Sequence, residues 1–284
     1  MKSGILIIDK EKDMTSRDVV NIACKKLETR KIGHTGTLDP IATGVLVLGV
    51  NEGTKIIDLL TSNDKVYIAE VELGILTDTL DITGNVLKKK EVNVVKEQVE
   101  ETLSSFKGKY MQEVPKYSAV RVNGKRLYEY ARNNVEVELP KREIEIKDIN
   151  LLDFKDNKFT FQVHVSKGTY IRSLIRDIGE SIDIPMTMIN LRRVKQGIFD
   201  INEAIKLDEI SDNKIISIKD ALRNYPKIVV DEITEKKVKN GCKLNENING
   251  ITLVLNKNNE LLALYEPSNH IDIMKPYKVF KGEE

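Results

Sequence analysis

Residues 31–49 read KIGHTGTLDPIATGVLVLG, and a single carboxylate, Asp39, stands among them. His34, Thr35 and Thr37 lie beside it, Gly33, Gly36 and Gly44 punctuate the stretch, and Pro40 follows the aspartate directly. Glycine permits backbone conformations that other residues reach only at a cost. Proline fixes its own φ and pushes the preceding Asp39 toward an extended or turn geometry. Val45, Leu46, Val47 and Leu48 then make an apolar run that predicts a buried strand. A polar loop docked on a buried strand is a common way to hold a reactive side chain at a fixed address. The competing reading is a surface turn built on Asp-Pro, and local chemistry alone favours that turn.

Three other stretches carry side chains capable of chemistry. Residues 77–84 supply Thr77, Asp78, Thr79, Asp81 and Thr83. The spacing of a calcium loop is not met, so these are read as residues that bond their own turns, and no metal is expected. Residues 107–132 interleave Lys107, Lys109, Lys116, Arg121, Lys125, Arg126 and Arg132 with Tyr110, Tyr117, Tyr128 and Tyr130. Cations for phosphates and rings for bases suit a nucleic-acid surface; a solvated face with half-buried tyrosines reads equally well. The third stretch is KGTYIRSLIRDIG, residues 167–179, where Arg172 falls in the first turn of a predicted helix. The helix dipole disfavours a cation there, which points to a carboxylate or phosphate partner.

The elements that must position these groups follow from periodicity. Residues 4–8 predict a short buried strand, and Thr15 or Ser16 caps a helix carrying Val19, Ile22, Ala23 and Leu27. A short helix starts at Gly53. From Tyr67 the chain alternates, with Tyr67, Ala69, Val71, Leu73 and Ile75 on one side and Glu70 and Glu72 on the other, a half-buried strand. A helix is expected over 94–106, a hairpin turn at Asn123-Gly124, and paired strands over 142–154 and 158–166. His164 lies on the polar face of the second of these. Thr169 offers a cap to the helix whose buried stripe is Ile171, Leu174, Ile175 and Ile178, and Leu191, Arg192, Arg193 and Val194 sit in a further strand. After about residue 224 the texture changes, and short strand-like runs predict a small, mostly β unit. The expectation is an α+β body of mixed, mainly antiparallel sheet with flanking helices over 1–224, and a second domain over 225–284.

Composition excludes little. Lys and Arg number 45 against 44 Asp and Glu, so only local clustering can speak for nucleic acid. Cys24 and Cys242 are too few and too distant for a disulfide framework, which points to a reducing compartment. No signal peptide and no run of about 18 apolar residues is evident, so a cytoplasmic protein without a membrane partner is expected. No nucleotide-binding fingerprint is present either.

Several of these stretches together resemble one family, the bacterial TruB tRNA pseudouridine-55 synthases. They are GILIIDKEKDMTS, KIGHTGTLDPIATGVLVLGV, DKVYIAEVELGILTDTLDITG, VPKYSAVRVNGKRLYEYAR, SKGTYIRSLIRDIG and LRR, in family order over residues 4–194. One departure is Glu11, where the family usually has proline. The resemblance implies isomerisation of one uridine of the tRNA TΨC arm to pseudouridine, with no cofactor and no metal. It implies Asp39 as the catalytic carboxylate, able to act as nucleophile or to stabilise a cationic sugar, and Arg172 as its partner. Tyr67 would stack on the flipped base, Tyr170 would lie near the glycosidic bond, Leu191 would wall the uracil pocket, and His34 would fill space vacated by the flipped nucleotide. Lys10, Lys125, Arg126 and Arg193 are expected to meet phosphates, residues 107–132 to grip tRNA, and the C-terminal unit to be PUA-like. A monomer without an obligatory protein partner is expected; a non-catalytic tRNA-folding role and a guide-RNA-dependent relative are the alternatives.

Overall fold

The computed structural model describes residues 2–61, 64–133, 135–270 and 272–281. Strand β1 (Gly4–Lys10) leads to helix α1 (Ser16–Lys26), strands β2 (Ile32–His34) and β3 (Thr43–Val50), the short helix α2 (Ile57–Thr61) and strand β4 (Lys65–Leu73). A small hairpin, β5 (Ile75–Thr77) and β6 (Val86–Lys89), precedes helix α3 (Lys96–Ser105) and strand β7 (Gly108–Glu113). A second hairpin, β8 (Arg121–Val122) and β9 (Lys125–Arg126), runs into helix α4 (Leu127–Arg132). Then come the long strands β10 (Lys141–Lys155) and β11 (Lys158–Val165), helix α5 (Ile171–Ser181), and strands β12 (Met186–Gln196) and β13 (Phe199–Asp200).

One sheet organises this body, in the order β1-β3-β12-β4-β11-β10-β7, with β2 beside β3 and β13 beside β12. Its pairs are antiparallel except β3 with β12, which run parallel at Thr43 and Gly44 opposite Arg192 and Arg193. The backbones close tightly there: Gly44 has φ 101°, and a Cβ on it would lie 2.2 Å from the Arg193 carbonyl oxygen. The end of the sheet at β1 differs from its middle. At β1 and β3 both faces are buried, so Ile5 to Ile8 and Val45 to Leu48 form unbroken apolar runs. At β4 and β11 only alternate residues are buried, against Val99 and Leu103 of α3 and Ile171, Leu174, Ile175 and Ile178 of α5. Each such aliphatic side chain contributes about 1.5–3 kcal/mol through burial.

Helix α1 starts as its sequence predicts, with Thr15 and Asp18 forming a reciprocal cap. Helix α5 does not: Tyr170 is its N-cap residue and caps with no side chain, while the Thr169 hydroxyl donates backward to the Ser166 carbonyl. The first part of the basic-aromatic stretch also differs from expectation. Residues 108–113 are an edge strand of the sheet, and Lys107 and Lys109 pair with Asp148 and Glu143. Only about residues 115–133 stand out as an arm. Asn123 and Gly124 turn its hairpin with φ of 50° and 81°.

After helix α6 (Ile218–Ala221), strands β14 (Lys227–Val229), β15 (Thr252–Leu255), β16 (Leu261–Pro267) and β17 (Met274–Val279) form a separate four-stranded sheet, with helix α7 (Glu232–Lys239) between the first two. It has a small core of its own around Val238, Val254 and Tyr265. Its other face shares a core with the body, where Leu253, Leu255, Leu264 and Phe280 join Ile5, Ile7, Val45 and Val47. Residues 271 and 282–284 of the expected C-terminal domain lie outside the described residues. Among the described residues, no helix is long and apolar enough to cross a membrane.

Candidate active site

Asp39 lies in the loop between β2 and β3, 38% exposed, and Arg172 grips it from behind while itself only 6% exposed. The guanidinium Nε approaches one carboxylate oxygen at 2.8 Å and Nη2 donates to the other at 3.1 Å. This is the bidentate geometry in which arginine both neutralises and aims a carboxylate. Arg172 is also tied elsewhere: Nη1 donates to the Thr79 carbonyl at 2.9 Å and Nη2 to the Tyr117 carbonyl at 2.9 Å. The cation at a helix start, which the dipole disfavours, is thus compensated by Asp39 and by the carbonyls of two other segments.

A second carboxylate, Asp81, stands 3.8 Å from Arg172 and is 7% exposed. One of its oxygens accepts from the Thr79 and Thr83 hydroxyls and the Thr83 N–H. The hydroxyl-rich turn thus bonds itself, as its spacing predicts, but it also places an acid beside Arg172. That role carries no local sequence signal.

The Asp39 loop is held from several sides. The Ser16 hydroxyl bridges to the Leu38 carbonyl and accepts from the Leu38 N–H. The Gln196 amide donates to Thr35 at 2.6 Å. Two buried cations complete the bracket. The Lys10 ammonium donates to the carbonyls of Glu11, Pro40 and Ala42 at 2.8, 3.2 and 2.7 Å. The Arg193 guanidinium donates to the carbonyls of Val45 and Gly36 at 2.7 and 3.3 Å and to the Tyr67 hydroxyl at 3.5 Å. Both side chains are fully buried. The expectation that Lys10 and Arg193 touch phosphate is corrected here: they lie inside, and their donors are spent on the Tyr67 hydroxyl and on carbonyls in and beside the Asp39 loop. Burial pushes Lys10 down to about 8, with the charge of Asp39 opposing, so it still carries its proton at neutral pH.

Tyr67 and Leu191 are buried and pack in one core with Leu38, Ile41 and Ala42 of the Asp39 loop. Tyr170 is half-buried at the start of α5, and the charges of Asp39 and Arg172 both act on its hydroxyl; burial raises its pKa above the ordinary value. His34 ends β2 with its Nδ1 buried and without a partner among the described residues. Burial lowers its pKa first, and Arg193 and Arg17 lower it further, so the ring is neutral near pH 7. The structure therefore brings Asp39, Arg172, Tyr67, Tyr170 and Leu191 together from four segments, with His34 on the strand that leads into the Asp39 loop. Lys125 and Arg126 lie away from this group on the exposed arm, where Arg126 and Arg132 flank the Tyr128 ring at 5.8 and 5.5 Å.

Known proteins resemble this chain over nearly its whole length. A model described as the TruB family pseudouridylate synthase N-terminal domain matches residues 24–171, and one for the tRNA pseudouridylate synthase B C-terminal domain matches residues 172–230. A tRNA pseudouridine synthase B of Lactobacillus acidophilus is 43% identical over 95% of this chain and 96% of its own length. That of Bacillus cytotoxicus is 42% identical over 99% and 98%. A chain in the structure of an H/ACA RNP bound to a substrate RNA containing 2'-deoxyuridine shares the fold, with a TM-score of 0.74 at 23% identity over 98% of this chain and 85% of that one. With near full-length relatives above 40% identity and a family model over more than half its residues, this chain belongs to the TruB family of pseudouridylate synthases.

Proposed function

We propose that the chain isomerises uridine 55 in the T-arm of tRNA to pseudouridine, with Asp39 as the catalytic group. The observation that carries this reading is the contrast between the solvent-facing carboxylate of Asp39 and the buried arginine clamping it. The acid is presented to a substrate while its charge and direction are set from within. The N1–C1′ bond breaks, the base turns, a C5–C1′ bond forms, the C5 proton is then lost and N1 takes one up, so that product and substrate are isomers. Asp39 meets the electron-poor C1′, either as nucleophile or as counter-charge. A uridine in a folded loop must first be flipped out, at a cost of a few kcal/mol. Stacking on Tyr67, at about 1–3 kcal/mol per base, offsets much of that. Tyr170 lies against the sugar side of the base, Leu191 walls the pocket, and His34 fills the gap the nucleotide leaves. Lys125 and Arg126 meet phosphates from the arm, and residues 225–284 act as a small RNA-contacting domain. The chain works as a monomer with no guide RNA or protein partner.

The test is incubation of the purified chain with unmodified tRNA and with an isolated T-arm hairpin, followed by mapping of pseudouridine. Product at position 55 in both is expected. The Asp39→Asn protein should bind the same RNA and form no product. Turnover by that variant in a clean preparation would remove Asp39 from its role, and modification only with a guide RNA present would replace the stand-alone reading.

A further inference from the structure

Gln112 sits in β7, is 1% exposed, and belongs to none of the groups assigned above. Its carboxamide lies against the main chain of Tyr170. The Oε1 accepts from the Tyr170 N–H at 2.8 Å, and the Nε2 donates to the Tyr170 carbonyl at 3.2 Å. The same Nε2 donates to the Tyr110 hydroxyl at 3.0 Å. That hydroxyl in turn donates to Asp177 at 3.1 Å, and Asp177 is gripped by Arg176 at 2.7 Å. A buried relay therefore runs from an ion pair on α5, through β7, back to the residue that opens α5.

A primary carboxamide carries an acceptor and a donor side by side. Gln112 uses both on one residue, as a neighbouring strand would. Tyr170 is the N-cap residue of α5 and has no side-chain cap; the carboxamide leaves the first-turn N–H groups alone and clamps the main chain of Tyr170 itself. The contact thus fixes the main chain from which the tyrosine ring departs. Burial makes the contact costly to lose, because it would leave the Tyr170 N–H without its partner.

We infer that Gln112 is a positioning residue for the reaction, holding the main chain of Tyr170 so that its ring meets the flipped nucleoside. This rests on the reading of Tyr170 as an active-site residue. A misplacement of about 1 Å at a reacting centre can cost on the order of 10²-fold in rate.

The test is a double-mutant cycle read by single-turnover kinetics on T-arm RNA. Gln112→Met keeps length and bulk and removes both polar partners. The expected result is a rate at least about tenfold lower, with RNA affinity within about twofold of the parent. In a Tyr170→Ala background the same substitution should add nothing, since no ring remains to be placed. Equal losses in both backgrounds would mean that Gln112 serves the fold alone, and would overturn the inference. So would a parental rate for Gln112→Met. Should Gln112→Met not yield folded protein, Tyr110→Phe removes the next link; a loss of about two- to threefold that vanishes in Tyr170→Ala is expected, and no loss would overturn the relay. A parental rate for Tyr170→Ala alone would instead overturn the assignment of Tyr170.

Discussion

The loop that carries Asp39 and the arm at residues 115–133 both set cations beside tyrosines, and they use them in opposite ways. Around the loop, Lys10 of β1 and Arg193 of β12 are buried and their donors are spent on carbonyls and on the Tyr67 hydroxyl. In the arm, Lys125, Arg126 and Arg132 are exposed, and Arg126 and Arg132 flank Tyr128 at the surface. The first set holds a shape; the second lies open to solvent. A basic residue beside an aromatic therefore means nothing about RNA until its burial is known.

The largest expected effect falls on the loop. Lys10→Met leaves the buried Ala42 carbonyl without its donor, while the Pro40 carbonyl keeps the Asp13 N–H and the exposed Glu11 carbonyl can turn to water. At about 1–3 kcal/mol for one unpaired buried acceptor, urea unfolding should show a loss of about 1–3 kcal/mol. A change within about 0.5 kcal/mol would show that Lys10 is not a bracket and would erase the contrast. The arm should answer differently. Replacing Lys125 and Arg126 by alanine should leave unfolding within about 0.5 kcal/mol. It should weaken tRNA binding about tenfold at low salt and reduce the slope of log affinity against log salt by about 2. An unchanged slope would move the phosphate contacts elsewhere.

The smallest effect concerns His34, whose folded pKa lies below its unfolded value of 6.5 because burial and neighbouring cations disfavour its charge. Below pH 6.5 the unfolded chain takes up a proton that the folded chain refuses, so this group's contribution is present above that pH and lost as pH falls. Replacing His34 with Gln should flatten part of the decline in stability between about pH 7 and 5, followed by denaturant midpoints. An identical decline would mean that the imidazole is relieved of its strain on acidification.

Much of the sheet was legible because its strands declare their burial. The alternation of Tyr67, Ala69, Val71 and Leu73 and the unbroken run Val45 to Leu48 both appear as read. Asp39 was visible only as an unusual loop residue, and locally a turn explained it as well. Its partner was hinted at by an arginine where the helix dipole disfavours one. Lys10 and Arg193 were misjudged because a lysine in sequence looks solvated; only a chain folded around three carbonyls makes it an interior residue. Gln112 gave no signal at all, since its partner is a main chain 58 positions away. Residues 108–113 were read with the arm because charge spacing does not reveal sheet pairing.

The C-terminal sheet presses Leu253, Leu255, Leu264 and Phe280 against β1 and β3, and Lys55 reaches across to the Val279 carbonyl at 2.8 Å and over the Phe280 ring at 5.6 Å. Strand β1 thus finds part of its apolar cover among residues synthesised some 250 positions later. Until those residues leave the exit tunnel, one face of β1 stays partly uncovered. The nascent chain must be kept from sticking through that face for most of its synthesis.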